Sequence, residues 1–123
     1  MNTVALTFHA APEHVRTARL VAVAVARRSG LDEARLDEIR LAVGEVCARA
    51  VRRCLNTGVK GAVEVEIDDG GAVFGITVTD GAAVEDGDEE AIALALVRGL
   101  ADTVTVEDGP GGHGGTVCLR WSR

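Results

Sequence analysis

The apolar residues of this chain switch between two spacings, and that switching limits the layers it can build. Over residues 15–50 they recur at intervals of three and four; over residues 63–78 they recur at every second position. The first spacing belongs to a helix with one face on a core, the second to a half-buried strand. Val4, Leu6 and Phe8 already alternate with small or polar residues and predict a first strand. Pro12 opens a helix at a position where its missing N–H costs nothing, and Ser29-Gly30 stops it near Arg28. Asp32 is placed to cap a second, longer helix, with Glu33 favourable in its first turn. Leu36, Ile39, Val43, Val46 and Ala50 form the core stripe of that helix, which ends near Leu55-Asn56-Thr57-Gly58.

Beyond Gly58, Val63, Val65 and Ile67 alternate, Asp68-Asp69-Gly70-Gly71 turns, and Phe74, Ile76 and Val78 alternate again: a hairpin. A third helix is predicted over about residues 89–100. A second hairpin pairs residues 104–107 with 116–121 around the glycine-rich run 109–115. That run lies between two strands rather than ahead of a helix, so it reads as a turn and not as a phosphate loop. The order is β-α-α-β-β-α-β-β. It predicts an α+β two-layer sandwich, with an antiparallel or mixed, mostly antiparallel sheet and three helices on one face. Residues 1–123 are expected to form one domain.

Composition narrows the function. Hydrophobic residues make up 47% and aromatics 2%, so the core must come from Val, Leu, Ile and Ala. The net charge of −6 argues against a general nucleic-acid binder. The first ten residues lack a basic segment followed by an apolar run, and the most apolar stretch, residues 20–26, is too short to span a bilayer. A cytoplasmic protein without membrane contact is expected. Cys47, Cys54 and Cys118 share no Cys-x-x-Cys spacing and read as core thiols. His9, His14 and His113 form no ligand motif, and no metal site is expected.

Charged residues mark three places. Arg35, Glu38, Glu45, Arg49 and Arg52 line one stripe of the second helix; this is a solvated face, with Glu45 and Arg49 spaced as a surface pair, or the border of a pocket. The acidic run 85–90 reads as a short solvated loop in which Asp88 and its neighbours cap the third helix. On the first helix Val15, Ala18, Ala22 and Val25, with Val21 at the edge, face the sheet. Arg16, Arg19, Leu20, Val23 and Arg27 fall on the opposite side, either as an ordinary solvated face or as an interface centre with a basic rim.

Three segments carry a family resemblance that covers nearly the whole chain. Leu41-Ala42-Val43-Gly44-Glu45-Val46-Cys47-Ala48-Arg49-Ala50 resembles the N box of the Bergerat ATP-binding fold of the GHKL superfamily. Val78-Thr79-Asp80-Gly81 resembles the start of its first glycine box. The helix from Ala91-Ile92-Ala93 to Ala101-Asp102 resembles the one that begins with its second glycine box. Within that superfamily the chain is similar to the anti-sigma-factor serine kinases of bacterial stress and sporulation control. The resemblance implies ATP and Mg²⁺ as cofactors of active members, with Glu45 in the catalytic position. Glu45, Arg49, Asp80, Gly81, Ala91 and Ala93 fall at nucleotide-site positions, Asp80 at that of the adenine contact. It further implies a sigma factor or an anti-anti-sigma (antagonist) protein as partner, a homodimer, and a partner-contacting arginine at Arg19.

The departures from that pattern point away from catalysis. The position of the Mg²⁺-holding Asn is Arg49, which has only donors and a fixed positive charge. The first glycine box continues Ala82-Ala83-Val84 where glycines are expected, and the second has Ala91 and Ala93 in place of two glycines. Those glycines let backbone N–H groups approach phosphate. A regulatory protein with a degenerate ATP site and no cofactor is therefore expected. The alternative is an active serine/threonine kinase of an anti-anti-sigma factor.

Overall fold

A computed structural model describes residues 3–58, 61–82, 86–109 and 114–123. The elements are β1 (Thr3–His9), α1 (Glu13–Arg28), α2 (Glu33–Thr57), β2 (Ala62–Asp68), β3 (Val73–Asp80), α3 (Asp88–Arg98), β4 (Thr103–Asp108) and β5 (Gly115–Ser122). The order matches the one expected from the spacing of apolar residues. The strands form one sheet in the order β1-β2-β3-β5-β4. Every pairing is antiparallel, so the mixed alternative does not occur among the described strands. The last strand, β5, is inserted between β3 and β4.

Register sets the core. Val65 pairs with Val78 and Ile67 with Ile76, while Ile76 pairs with Leu119 and Phe74 with Trp121. These residues share one face of the sheet, and all are buried. Thr7, Glu64, Glu66, Thr77, Thr79 and Arg120 alternate with them on the other face, exposed or half-buried. The helices cover the first face. The stripe Leu36, Ile39, Val43, Val46 and Ala50 is fully buried, as its spacing requires. Asp32 caps α2 by accepting the Arg35 N–H at 2.9 Å, and Gly58 ends the helix with a left-handed φ of 67°. Asp102 ties α2 to the sheet: it accepts from Arg35 Nη1 at 3.0 Å and from the Ser122 N–H at 2.7 Å. Those two bonds, the backbone one first, hold its carboxyl below the usual range.

Trp121 and Phe74 meet in a tilted contact with ring centroids 6.4 Å apart, and Trp121 Nε1 donates to the Leu100 carbonyl at 3.0 Å. Cys47 and Cys54 are buried, as core thiols should be, and Cys118 is half-buried on the open face of the sheet. Burial pushes the Cys47 thiol up to about 12. At about pH 8 only on the order of one molecule in ten thousand carries that thiolate. Cys47 is thus expected to resist an aromatic disulfide reagent in the folded protein and to react once urea is added. Rapid modification of Cys47 without unfolding, seen by peptide mapping, would contradict this packing. No helix among the described residues is long and apolar enough to cross a membrane.

Candidate functional site

Two arginines four residues apart on α2 project toward the end of β3. Arg49 and Arg53 are each only 4% exposed, which is rare for arginine unless it is paired. Arg53 Nε donates to Asp80 Oδ2 at 3.1 Å, and its Nη2 donates to the Ala82 carbonyl at 3.2 Å. Asp80 uses its other oxygen, Oδ1, to accept the Ala82 N–H at 2.9 Å. Asp86, in the segment before α3, closes the cluster. Its Oδ2 accepts from Arg49 Nε at 3.1 Å and Nη2 at 2.9 Å, and its Oδ1 accepts from Arg53 Nη1 at 2.9 Å. Burial of Arg53 works against its charge. The bond to Asp86 and the charges of Asp80 and Asp86 outweigh that, so its pKa lies above the ordinary value. Gly114 sits against the same corner: its φ is 76°, and a Cβ there would meet the Asp80 carbonyl oxygen at 2.7 Å. That glycine is required both by conformation and by close approach.

This geometry corrects several expectations. Arg49 is not on a solvated face, and it pairs with Asp86 rather than with Glu45. Asp88 does not cap α3: the cap position is Gly87, without a side-chain bond, and Asp88 contributes only charge to the first turn. Glu90 is buried, and its carboxylate, with that of Glu89, lies 3.6 Å from Arg52 Nε. Gly81 is exposed, and a Cβ there would meet nothing within 4 Å, so sterics do not demand glycine. Ala93 is buried and Ala91 exposed. Residues 83–85 and 110–113 lie outside the described residues, and with them Glu85, His113 and most of the glycine-rich turn. The flanks of that turn do form a hairpin, with Asp108 opposite Gly115.

Sequence reasoning placed Arg49 and Asp80 at the site but missed Arg53 and Asp86. Arg53 carried a signal: it follows Arg49 by four residues and so shares its helix face.

The structure places Glu45 elsewhere, in a groove between α1 and α2 of about 510 Å³, together with Arg16, Arg19, Arg40, Leu41 and Gly44. Arg19 lies across Gly44, and a Cβ on Gly44 would meet Arg19 Cδ at 2.9 Å. The glycine therefore gives the arginine stem its bed. A second, more apolar cavity of about 290 Å³ continues the groove past Val15 and Ala48 to Val51 and Leu55. Leu41 in the first cavity and Leu55 in the second are 58% and 57% exposed, and Leu20 on α1 is exposed outside both. Arg16, Arg19 and Arg27 are exposed as expected. Val23 is not: it is buried, so the α1 patch has Leu20 as its aliphatic member and lacks Val23. The reason is that α1 packs against both the sheet and α2, which widens its buried arc beyond one stripe.

Comparison with known proteins agrees with this architecture. The fold is similar to a solved structure, the RsbU and RsbW domains of Rv1364c from Mycobacterium tuberculosis, with a TM-score of 0.76 and 24% identity. The likeness covers 99% of this chain and 32% of that one, so the chain spans about a third of that relative's length. At that identity the likeness speaks for the fold and not for an activity. No curated protein matches the sequence. Residues 8–121 match the family described as the histidine kinase-like ATPase domain. That match takes in both hairpins, all three helices and the arginine-filled corner between them: the chain belongs to the histidine kinase-like ATPase domain family.

Proposed function

We propose that this chain is a protein-binding regulatory module of the anti-sigma-factor type, in which the ATP site is filled by the chain's own side chains. One observation carries the reading: Arg53 occupies Asp80, and Asp86 occupies Arg49 and Arg53. Asp80 stands where the family contacts adenine, and here both of its oxygens are engaged. Arg49 stands where the family holds Mg²⁺, and a guanidinium has no lone pair for a cation. The residues present therefore do not fit Mg-ATP. Glu45, the residue an active kinase would need, lines the α1–α2 groove with Arg19 instead.

A ligand bound only to the folded state at a hundred times its Kd adds about 2.7 kcal/mol of stability. Millimolar Mg-ATP is expected to leave the melting temperature of this protein unchanged. A Mg-dependent rise with micromolar affinity would overturn the reading.

The docking surface for a sigma factor or its antagonist is the α1–α2 groove, where Arg16, Arg19 and Arg40, with Glu13 and Glu45, surround the exposed Leu41. An aliphatic centre ringed by three arginines and two glutamates suits an amphipathic partner surface with a carboxylate for Arg19. Arg19→Glu is expected to abolish partner binding while changing stability by only about 0.5 kcal/mol. Gly44→Ala is the companion test. Its new methyl displaces the Arg19 stem, while alanine in place of a helical glycine adds up to about 1 kcal/mol. Weaker binding with an equal or higher melting temperature is the expected result. Full affinity in both variants would move the docking surface elsewhere.

A further inference from the structure

Asp86 is held as a bound anion is held. Its carboxylate takes three charge-assisted N–H bonds from two guanidinium groups, all between 2.9 and 3.1 Å. The two arginine side chains are 4% exposed and that of Asp80 is 2% exposed, while that of Asp86 is 19% exposed. Among the described residues of the cluster, two cations face two carboxylates. The deeper carboxylate, Asp80, is fixed by a backbone N–H as well as by Arg53. The outer one, Asp86, lies at the solvent edge and belongs neither to the sheet nor to α2.

We propose that Arg49 and Arg53 form an oxyanion site for phosphate groups, that the chain fills this site with its own Asp86, and that a polyphosphate competes with Asp86 for it without any divalent cation. Guanidinium forks pair with phosphate as they pair with carboxylate, and a terminal phosphate offers three oxygens where Asp86 offers two. Two arginines supply the positive charge that relatives obtain from Mg²⁺. Asp80 is committed to Arg53 and Ala82, so a nucleobase has no reader at this site. The ligand class is thus the phosphate chain itself, independent of the base. Tethering gives Asp86 an effective concentration in about the millimolar range or above, so the native chain resists free polyphosphate. The inference rests on the reading of the ATP site as self-filled. Titration of the wild type with Mg-ATP tests that reading, and variants at Asp86 test this one.

The experiment is a titration of inorganic tripolyphosphate, ATP and GTP, with EDTA present, into the wild type, Asp86→Ala and Asp86→Asn. Calorimetry and melting temperature are both read. The two variants are expected to bind tripolyphosphate at least about tenfold more tightly than the wild type, the gain from removing a competing tethered anion. ATP and GTP should bind these variants with equal affinity. Adding Arg49→Gln to Asp86→Ala should return the affinity to the wild-type level. A variant of low stability should gain melting temperature with added tripolyphosphate, because the site exists only in the folded state. The proposal is overturned by a folded Asp86→Ala that binds no better than wild type. It is equally overturned by binding that needs Mg²⁺, by a tenfold or greater preference for ATP over GTP, by affinity that survives Arg49→Gln, or by unfolded variants that tripolyphosphate does not restore.

Discussion

Replacing Arg53 with alanine lowers the stability of the folded chain by about 3–5 kcal/mol, the cost of leaving a buried charge without its partner. The side chain of Asp80 is 2% exposed, and in the variant it keeps only the Ala82 N–H. The Ala82 carbonyl and Asp86 lose their bonds to Arg53 as well. Since a domain of this size is stable by only about 5–15 kcal/mol, the variant sits near the edge of folding. Urea denaturation followed by circular dichroism measures the loss. Arg53→Lys keeps the charge but not the fork, and is expected to recover part of it. The double variant Arg53→Met with Asp80→Leu removes both charges, so its stability should exceed that of Arg53→Ala. A loss below about 1 kcal/mol for Arg53→Ala would mean that water compensates Asp80, and that the corner is wetter than its burial implies.

Trp121→Ala costs about 3–5 kcal/mol, for a different reason. The only tryptophan of the chain is fully buried on β5, the strand that β3 and β4 share. With no tyrosine and two phenylalanines, the core has no second large ring to close the void beside Phe74. Trp121→Phe fills most of the volume but leaves the Leu100 carbonyl without its donor, so a smaller loss of about 1–3 kcal/mol is expected. The two variants together separate packing from hydrogen bonding. Equal losses in both would assign the effect to the Leu100 bond alone.

The sequence made the layers legible because their cause is local. The stripe from Leu36 to Ala50 and the alternation of Val63, Val65 and Ile67 each follow from one period, and both were read correctly with their caps and turns. Val23 was misread because a single period assumes a single packing partner, whereas α1 has the sheet on one side and α2 on another. The arginine cluster was harder still. Charged residues at helical spacing ordinarily face water, and here the reason they do not is Asp86, 37 residues from Arg49 and 33 from Arg53. No local pattern links residues that far apart. The family resemblance set Arg49 at the position of a metal-holding Asn, but it gave no sign that Asp86 pairs with it.

The insertion of β5 between β3 and β4 bears on how the chain is made. On a ribosome β5 emerges after the other four described strands, and among them β4 pairs with β5 alone. Until those residues leave the exit tunnel, β4 has no neighbour, and the β3 edge that β5 will cover stays open. The nascent chain can assemble β1, β2 and β3 with two helices, but it cannot finish the sheet. Such an open edge is a template for pairing with other chains, so the interval before β5 emerges is when this domain is most exposed to aggregation. Long-range pairing of this kind also slows the last folding step. A nascent chain arrested before residue 115 should therefore bind a holdase chaperone that the folded domain, with β5 in place, ignores.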